Sequence, residues 1–139
     1  MVEIISGDKG TGKTKVLITK ANDSALLTSG SIVFLDKNNK HMYELSNRIR
    51  MINVQDFHVE NFDMFCGFLY GIASQDHNLE YLFLDSFLTI AHIDLSRIEE
   101  AIKFLTDYSE KENIHVIISL SVNGEQLPPA LQPYISVSL

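Results

Sequence analysis

The sequence predicts an α/β fold of three layers, in which a mainly parallel central sheet is flanked by helices. Short apolar runs of strand length alternate with segments of helical period along the 139 residues. The runs at residues 32–35 and 81–84 are apolar throughout, as expected of strands that are buried on both faces. No repeat, linker or low-complexity tract divides the chain. We therefore expect a single domain over residues 1–139.

Six strands are expected. Each is a short run rich in β-branched, aromatic or other apolar residues. The expected strands lie at residues 2–6, 31–36, 51–54, 81–85, 115–120 and 134–137. Because helical segments alternate with these strands, we expect neighbouring strands to run parallel.

Three segments between the strands have helical period. The first, residues 13–21, directly follows a glycine-rich loop. The second, residues 62–72, carries a stripe of phenylalanines, and such stripes are far more often core than ligand-binding surface. The third, residues 95–108, has Ser96 and Glu99 at the spacing of a capping box. We expect all three to flank the sheet.

The charge balance restricts the partners. The chain has 11 Lys and Arg residues against 18 Asp and Glu residues, a net charge of −7, which repels nucleic acid and anionic lipid. We therefore expect no strong nucleic-acid binding by the lone chain. No apolar stretch reaches the roughly 18 residues of a membrane span, so no membrane insertion is expected. The first residues lack the pattern of a signal peptide, and the lone Cys66 suits the cytoplasm, which is the expected location.

One motif carries most of the chemical information. Residues 7–14 match the pattern G-x-x-x-x-G-K-[ST] at every fixed position, reading Gly7-Asp8-Lys9-Gly10-Thr11-Gly12-Lys13-Thr14. Gly7, Gly10 and Gly12 can adopt positive φ and carry no Cβ, so the backbone N–H groups can wrap around a phosphate. The alternative is a glycine-rich turn without a ligand, but that gives no packing reason for a lysine and a threonine after Gly12.

The residue types predict the ligand. Lys13 would reach the β- and γ-phosphate oxygens, and the N-terminus of the following helix would add positive potential. The Thr14 hydroxyl would ligate Mg²⁺, and Asp85, which ends an apolar strand, would hold the metal from the other side. Alternatively, Asp85 caps the turn or helix that follows it. We expect ATP and Mg²⁺ as ligands.

Two other ligand classes are disfavoured. The five histidines lie far apart and Cys66 has no second thiol, so a zinc site is not expected. The guanine-recognition pattern N-K-x-D is approached at residues 39–42 but ends in Met42. Adenine is therefore the expected base.

With these motifs the sequence resembles the P-loop NTPases, and within them it is similar to the RecA-like ATPase core over nearly the whole chain. The resemblance rests on residues 7–14 and on three further segments, Phe34-Leu35-Asp36-Lys37-Asn38, Phe83-Leu84-Asp85-Ser86 and Ile117-Ile118-Ser119-Leu120. It implies a three-layer P-loop NTPase fold in which the strand at 117–120 lies between the strand before the loop and the strand before Asp85. It also implies a homo-oligomer or a protein partner.

The sequence departs from this family at the catalytic position. RecA-like enzymes commonly carry a glutamate two residues beyond the position that Asp36 matches, and this chain has Asn38 there. An amide cannot take up a proton as a carboxylate does. Either Asp36 acts as the base, or the chain has none. Ser86 likewise stands where many relatives place an acid. The catalytic candidates are therefore Lys13, Asp36 and Asn38.

The same resemblance suggests a polar sensor of the γ-phosphate at Ser119, Ser121 and Asn123. The alternative is that these residues belong to an ordinary strand end and turn, where they satisfy backbone groups.

The expected function is ATP binding with Mg²⁺ and ATP hydrolysis that is slow or stimulated by a partner. One alternative is a nucleotide-binding regulatory module without turnover, which the absent acids favour. Another is a small-molecule kinase, disfavoured because residues 98–139 contain no arginine for a closing lid. A secretion or twitching-motility ATPase component is a distant alternative, since the additional domains of that class are not in this sequence.

Overall fold

The computed structural model describes residues 1–139 and contains one six-stranded sheet in which every strand pair is parallel. The strands are β1 (Val2–Ser6), β2 (Ser31–Asp36), β3 (Ile49–Asn53), β4 (Leu79–Leu84), β5 (His115–Leu120) and β6 (Ile135–Ser138). The predicted bounds of β1, β2 and β5 are confirmed, whereas those of β3, β4 and β6 shift by one or two residues. The predicted α/β class and parallel sheet are confirmed.

The strand order across the sheet is β3-β2-β4-β5-β1-β6. Strand β5 thus lies between β1 and β4, as the resemblance implied, with Ser6 opposite Leu120 and Leu84 opposite Ile118. Because all strands are parallel, the residues that follow β1, β2, β4 and β5 meet at one edge of the sheet. We call it the carboxyl edge.

Four α-helices cover the two faces of the sheet: α1 (Lys13–Leu27), α2 (Phe62–Gln75), α3 (Phe87–Ala91) and α4 (Ile98–Glu112). Leu17 and Ala21 of α1 pack in a cluster of 11 buried residues on one face. Phe65 of α2, Phe87 of α3 and Ile102 of α4 pack in a cluster of 30 buried residues on the other face. The predicted three-layer arrangement is therefore confirmed.

The phenylalanine stripe of α2 belongs largely to the core, as predicted. Phe65 is fully buried and meets the Phe87 ring edge-on at a centroid distance of 5.9 Å. Phe62 is also buried and contacts Phe104 of α4 in the same manner at 6.0 Å. Phe68 is only partly buried and pairs with the exposed Phe57 instead.

Several helix predictions need correction. The expected capping box is wrong, because residues 95–97 form a 3₁₀ turn and α4 begins only at Ile98, with Arg97 at its N-cap and no capping side chain. Arg97 instead pairs with Glu100 across 3.0 Å. Helix α1 continues six residues beyond the predicted end at Ala21, and α3 was not predicted.

The end of α1 is fixed by Arg48 from the segment before β3. Its guanidinium donates to the carbonyl oxygens of Ala25 at 2.5 Å, of Thr28 at 2.8 Å and of Gly30 at 2.8 Å. Helix C-termini leave carbonyl groups without intrahelical partners, and a planar fork of N–H donors suits them.

None of the helices combines the length and the apolar character that crossing a bilayer requires.

Candidate functional site

A polar cavity of about 400 Å³ opens at the carboxyl edge, where β1, β4 and β5 end. No hydrophobic residue lines it; the lining is Lys9, Gly10, Gly12, Lys13, Thr14, Lys37, Asp85, Ser86, Thr89, Ser119 and Ser121. Three lysines face one carboxylate in a chain whose net charge is −7. The cavity is therefore a local positive region that attracts anions.

The glycine-rich loop, residues 7–14, is organised around one carbonyl oxygen. The Asp8 carbonyl accepts from Lys13 Nζ at 2.9 Å, from Thr11 Oγ1 at 2.7 Å and from the Thr11 backbone N–H at 3.2 Å. Gly10 and Gly12 have φ values of 86° and 94°, in the left-handed region that glycine adopts without strain. The prediction of positive φ is confirmed at these two positions.

Gly7 is needed for a different reason. It does not adopt positive φ, so that expectation is wrong at this position. A Cβ added at Gly7 would lie 2.5 Å from Thr11 Oγ1 and 3.0 Å from the Leu139 Cβ. The loop therefore requires glycine at position 7 because a side chain would not fit there, and not because glycine can adopt positive φ.

Lys13 is the first residue of α1 and is buried, with only 7% of its surface exposed. Burial lowers the pKa of Lys13, while the nearby carboxylates of Asp85 and Asp8 oppose that shift. No side chain caps the first turn of α1, whose N-cap is Gly12. An ammonium group and the N–H groups of a helix terminus thus border the same cavity, a combination that favours a bound anion.

Thr14 and Asp85 meet directly across the cavity. The Thr14 hydroxyl donates to the Asp85 carboxylate, at 2.9 Å from Oδ2 and 3.2 Å from Oδ1. Ser119 at the end of β5 donates to Asp85 Oδ1 at 2.6 Å. The Asp85 carboxylate is therefore held by the loop on one side and by β5 on the other.

The turn after Asp85 is unusual. Ser86 has φ 53° and ψ 52°, a left-handed conformation that is uncommon for serine, and its backbone N–H donates to Ser119 Oγ at 2.8 Å. Helix α3 begins at the next residue without a side-chain cap. The alternative that Asp85 caps this helix is therefore wrong.

The oxygen atoms of Thr14 and Asp85 fit a hard divalent cation. Mg²⁺ is bound by one or two carboxylates together with phosphates and waters, rather than by an all-protein cage. No group of three or more His, Cys, Asp or Glu side chains is arranged as a metal site. A hydroxyl and a carboxylate 2.9 Å apart beside a positive cavity suit a metal that arrives with a phosphate.

Asp36, at the end of β2, lies behind the cavity rather than in its lining. It is only 1% exposed, its Oδ1 accepts from the Lys37 N–H at 2.6 Å, and its Oδ2 has no partner. Burial first, and then the charge of Asp85, raise the pKa of Asp36 to about 6. Asn38 is farther along, in an exposed turn where its side chain accepts from the Lys40 N–H.

The structure brings most of the predicted site residues together. From the loop, Lys9, Gly10, Gly12, Lys13 and Thr14 line the cavity, whereas Gly7, Asp8 and Thr11 shape the loop without lining it. Ser119 and Ser121 also line it, but the Asn123 side chain caps a 3₁₀ turn by accepting from the Glu125 N–H.

Lys37, Ser86 and Thr89 also line the cavity, and no pattern in the sequence is used above to predict them there. Lys37 could have been found because it follows a strand end at the carboxyl edge. Thr89 could not, since its position depends on α3.

No protein-family model matches this sequence, and no curated protein matches it significantly. The chemistry of the site is therefore argued from its residues and their geometry alone.

Proposed function

We propose that the chain binds a nucleoside triphosphate with Mg²⁺, ATP in the first instance, in the polar cavity. The observation that carries this proposal is the convergence of Lys13, Thr14 and Asp85 on one cavity at the N-terminus of α1. An ammonium group, helix N–H groups and a carboxylate–hydroxyl pair are the partners that a metal-bound polyphosphate needs.

In this proposal each residue has a distinct task. Lys13 binds the terminal phosphate oxygens, and the N–H groups beside Gly10 and Gly12 surround them. Thr14 and Asp85 hold the metal, and Ser119 orients the Asp85 carboxylate. When bound, Mg²⁺ neutralises charge on the phosphate oxygens.

The strand order supports a relationship to the RecA-like P-loop NTPases. Strand β5 separates β1, which precedes the loop, from β4, which precedes Asp85. That is the order the sequence resemblance implied. We propose on this basis that the chain is a member of that group.

The lining of the cavity favours slow or partner-stimulated hydrolysis. Asp85 is its only carboxylate, and that carboxylate is engaged by Thr14 and Ser119. Asp36 is buried behind it, so no second carboxylate faces the place of an attacking water. A protein partner or a second copy of the chain would supply the missing group. We assign this activity to the cytoplasm, where the free thiol of Cys66 stays reduced.

Titration with a fluorescent ATP analogue and Mg²⁺ tests the binding proposal. We expect Lys13→Ala to weaken binding about tenfold or more, because a charge-assisted contact is lost. Lys15→Ala is the matched control, since Lys15 is exposed on the same helix outside the cavity. Equal binding by the two variants would refute the proposal.

Phosphate release from saturating ATP and Mg²⁺ separates the two main functions. Turnover that disappears in Lys13→Ala would identify an ATPase. Absence of turnover from protein shown to be saturated would identify the regulatory module, or an enzyme that requires its partner.

A second cavity, of about 230 Å³, is the observation that favours the small-molecule kinase as an alternative function. It shares Lys37 and Thr89 with the polar cavity and adds His58, Glu60 and His92. A small acceptor bound there would lie next to a terminal phosphate. Incubation with γ-labelled ATP and a panel of small hydroxyl compounds tests this function, and label transfer that is lost in His58→Ala would support it.

A further inference from the structure

A cavity of about 580 Å³, larger than the polar cavity, lies away from the carboxyl edge. It opens between the edge strand β3 and helix α2, beside the segment that enters β2, and it shares no residue with the polar cavity. Its volume is within the range of small-molecule sites. None of the functions proposed above uses it.

Two aromatic rings and the sheet form its apolar part. Phe57 is 55% exposed, and its ring lies 5.5 Å from that of Phe68, with an angle of 44° between the planes. Val33 of β2 and Ile52 of β3 line the cavity beside them. Covering such an exposed ring with an apolar ligand is favourable, because it removes the ring from water.

The charged part of the cavity is positive. Arg50 lies two residues before Ile52 on β3, on the same face of the strand, and its guanidinium forms no ion pair or hydrogen bond within the chain. Arg48 also lines the cavity, with its guanidinium bonded only to backbone carbonyls. One carboxylate, that of Asp76, lines the cavity, and its Oδ1 accepts from the Asn78 N–H at 3.0 Å.

We propose that this cavity is a further binding site, whose ligand is a small aromatic anion. The aromatic ring of the ligand packs against Phe57 and Phe68, and its carboxylate, sulfonate or phosphate group accepts from Arg50. A free guanidinium beside the exposed ring of Phe57 and the partly buried ring of Phe68 matches both halves of such a molecule. Binding at this site does not depend on the nucleotide proposal, because the two cavities have no lining residue in common.

A pair of glycines in α2 gives a direct test. Gly71 lines the cavity and Gly67, one turn earlier, does not; a Cβ added at either position meets no atom within 4 Å. The probe is 8-anilinonaphthalene-1-sulfonate, titrated calorimetrically into the full chain. We expect saturable binding of one molecule, its loss in Gly71→Leu and its retention in Gly67→Leu. Thermal unfolding of both variants checks that they remain folded.

Arg50→Gln provides a second test at an exposed position. We expect the affinity for the sulfonate probe to fall about tenfold, as for the loss of one hydrogen bond to a charged group. The affinity for the uncharged N-phenyl-1-naphthylamine should stay unchanged. Equal binding by Gly67→Leu and Gly71→Leu, or sulfonate binding that is insensitive to Arg50→Gln, would overturn the proposal.

Discussion

The Ser119 hydroxyl donates to the Asp85 carboxylate across 2.6 Å and joins the end of β5 to the end of β4. The same hydroxyl oxygen accepts from the backbone N–H of Ser86 at 2.8 Å. One buried serine thus positions the carboxylate and also satisfies the strained turn that follows it.

Replacing Ser119 should therefore affect both stability and binding. Ser119→Ala leaves the Ser86 N–H without an acceptor, so we expect the free energy of unfolding in urea to fall by about 1–2 kcal/mol. Binding of the Mg²⁺–nucleotide should weaken severalfold, because the Asp85 carboxylate loses a positioning bond. Ser121→Ala is the control, since Ser121 lines the same cavity but its side chain has no hydrogen bond to Asp85. Equal effects of the two variants would show that the bond is unimportant.

The buried carboxyl of Asp36 should make stability depend on pH. Its pKa is about 6 in the folded chain, against an ordinary value of 3.8. Between these values the folded state binds more protons than the unfolded state, so the free energy of unfolding falls as the pH rises through this window. Above about pH 6 the Asp36 carboxyl is ionised in both states, so its ionisation lowers the free energy of unfolding no further.

We expect Asp36→Asn to remove this dependence. Asp36→Asn should raise the free energy of unfolding relative to the wild type. This increase should be about 2 kcal/mol larger at pH 7.5 than at pH 4, as measured by urea unfolding. Asp23→Asn, at an exposed position on α1, is the control and should show no such difference. An increase in the free energy of unfolding that is the same at both pH values would show that Asp36 does not cause the pH dependence.

Arg48 and Arg50 offer a comparison of two arginines that lie two residues apart. Arg48→Lys should lower the free energy of unfolding by about 1–2 kcal/mol and with it the thermal unfolding midpoint. The reason is that a single ammonium group cannot reproduce three hydrogen bonds to separate carbonyl oxygens. Arg50→Lys should leave stability nearly unchanged. Equal midpoints for the two variants would show that Arg48 does not fix the end of α1.

Gly7 and Thr11 should be energetically coupled. Gly7→Ala places a Cβ 2.5 Å from Thr11 Oγ1, and we expect a loss of stability of more than about 1 kcal/mol. The loss should be smaller in a Thr11→Ala background, although the contact with Leu139 at 3.0 Å remains. A double-mutant cycle measured by urea unfolding checks the coupling, and strict additivity would rule it out. Gly67→Ala, in open space within α2, should stabilise the chain instead.

Most of the fold could be predicted because its strands are continuous apolar runs. The predictions shift where a polar residue interrupts the pattern, as Arg50 does in the edge strand β3 and Glu80 does in β4. The prediction of α1 stopped too early, because Asn22, Asp23 and Ser24 are poor helix formers. Tertiary contacts, including the packing of Ala25 against the sheet, carry the helix past them.

The site could be predicted only as far as its local motif. Lys13 and Thr14 follow from the loop pattern, and Asp85 follows from its place after a buried strand. The contacts of Ser119 and Thr89 depend on which strands are neighbours and on the short helix α3, which no local pattern indicates. The buried state of Asp36 likewise arises from the packing of β2 beside β4.

The unequal covering of the two sheet faces has a consequence for motion. Helix α1 is the only α-helix that packs on one face, where the cluster contains 11 buried residues against 30 on the other face. Segments held by fewer apolar contacts open at lower free energy than the rest of a fold. We therefore expect the backbone amides of α1 to exchange with deuterium sooner than those of β5. Lys13 and Thr14 belong to α1, so a ligand that joins this helix to Asp85 should slow the exchange of α1 more than that of the other helices.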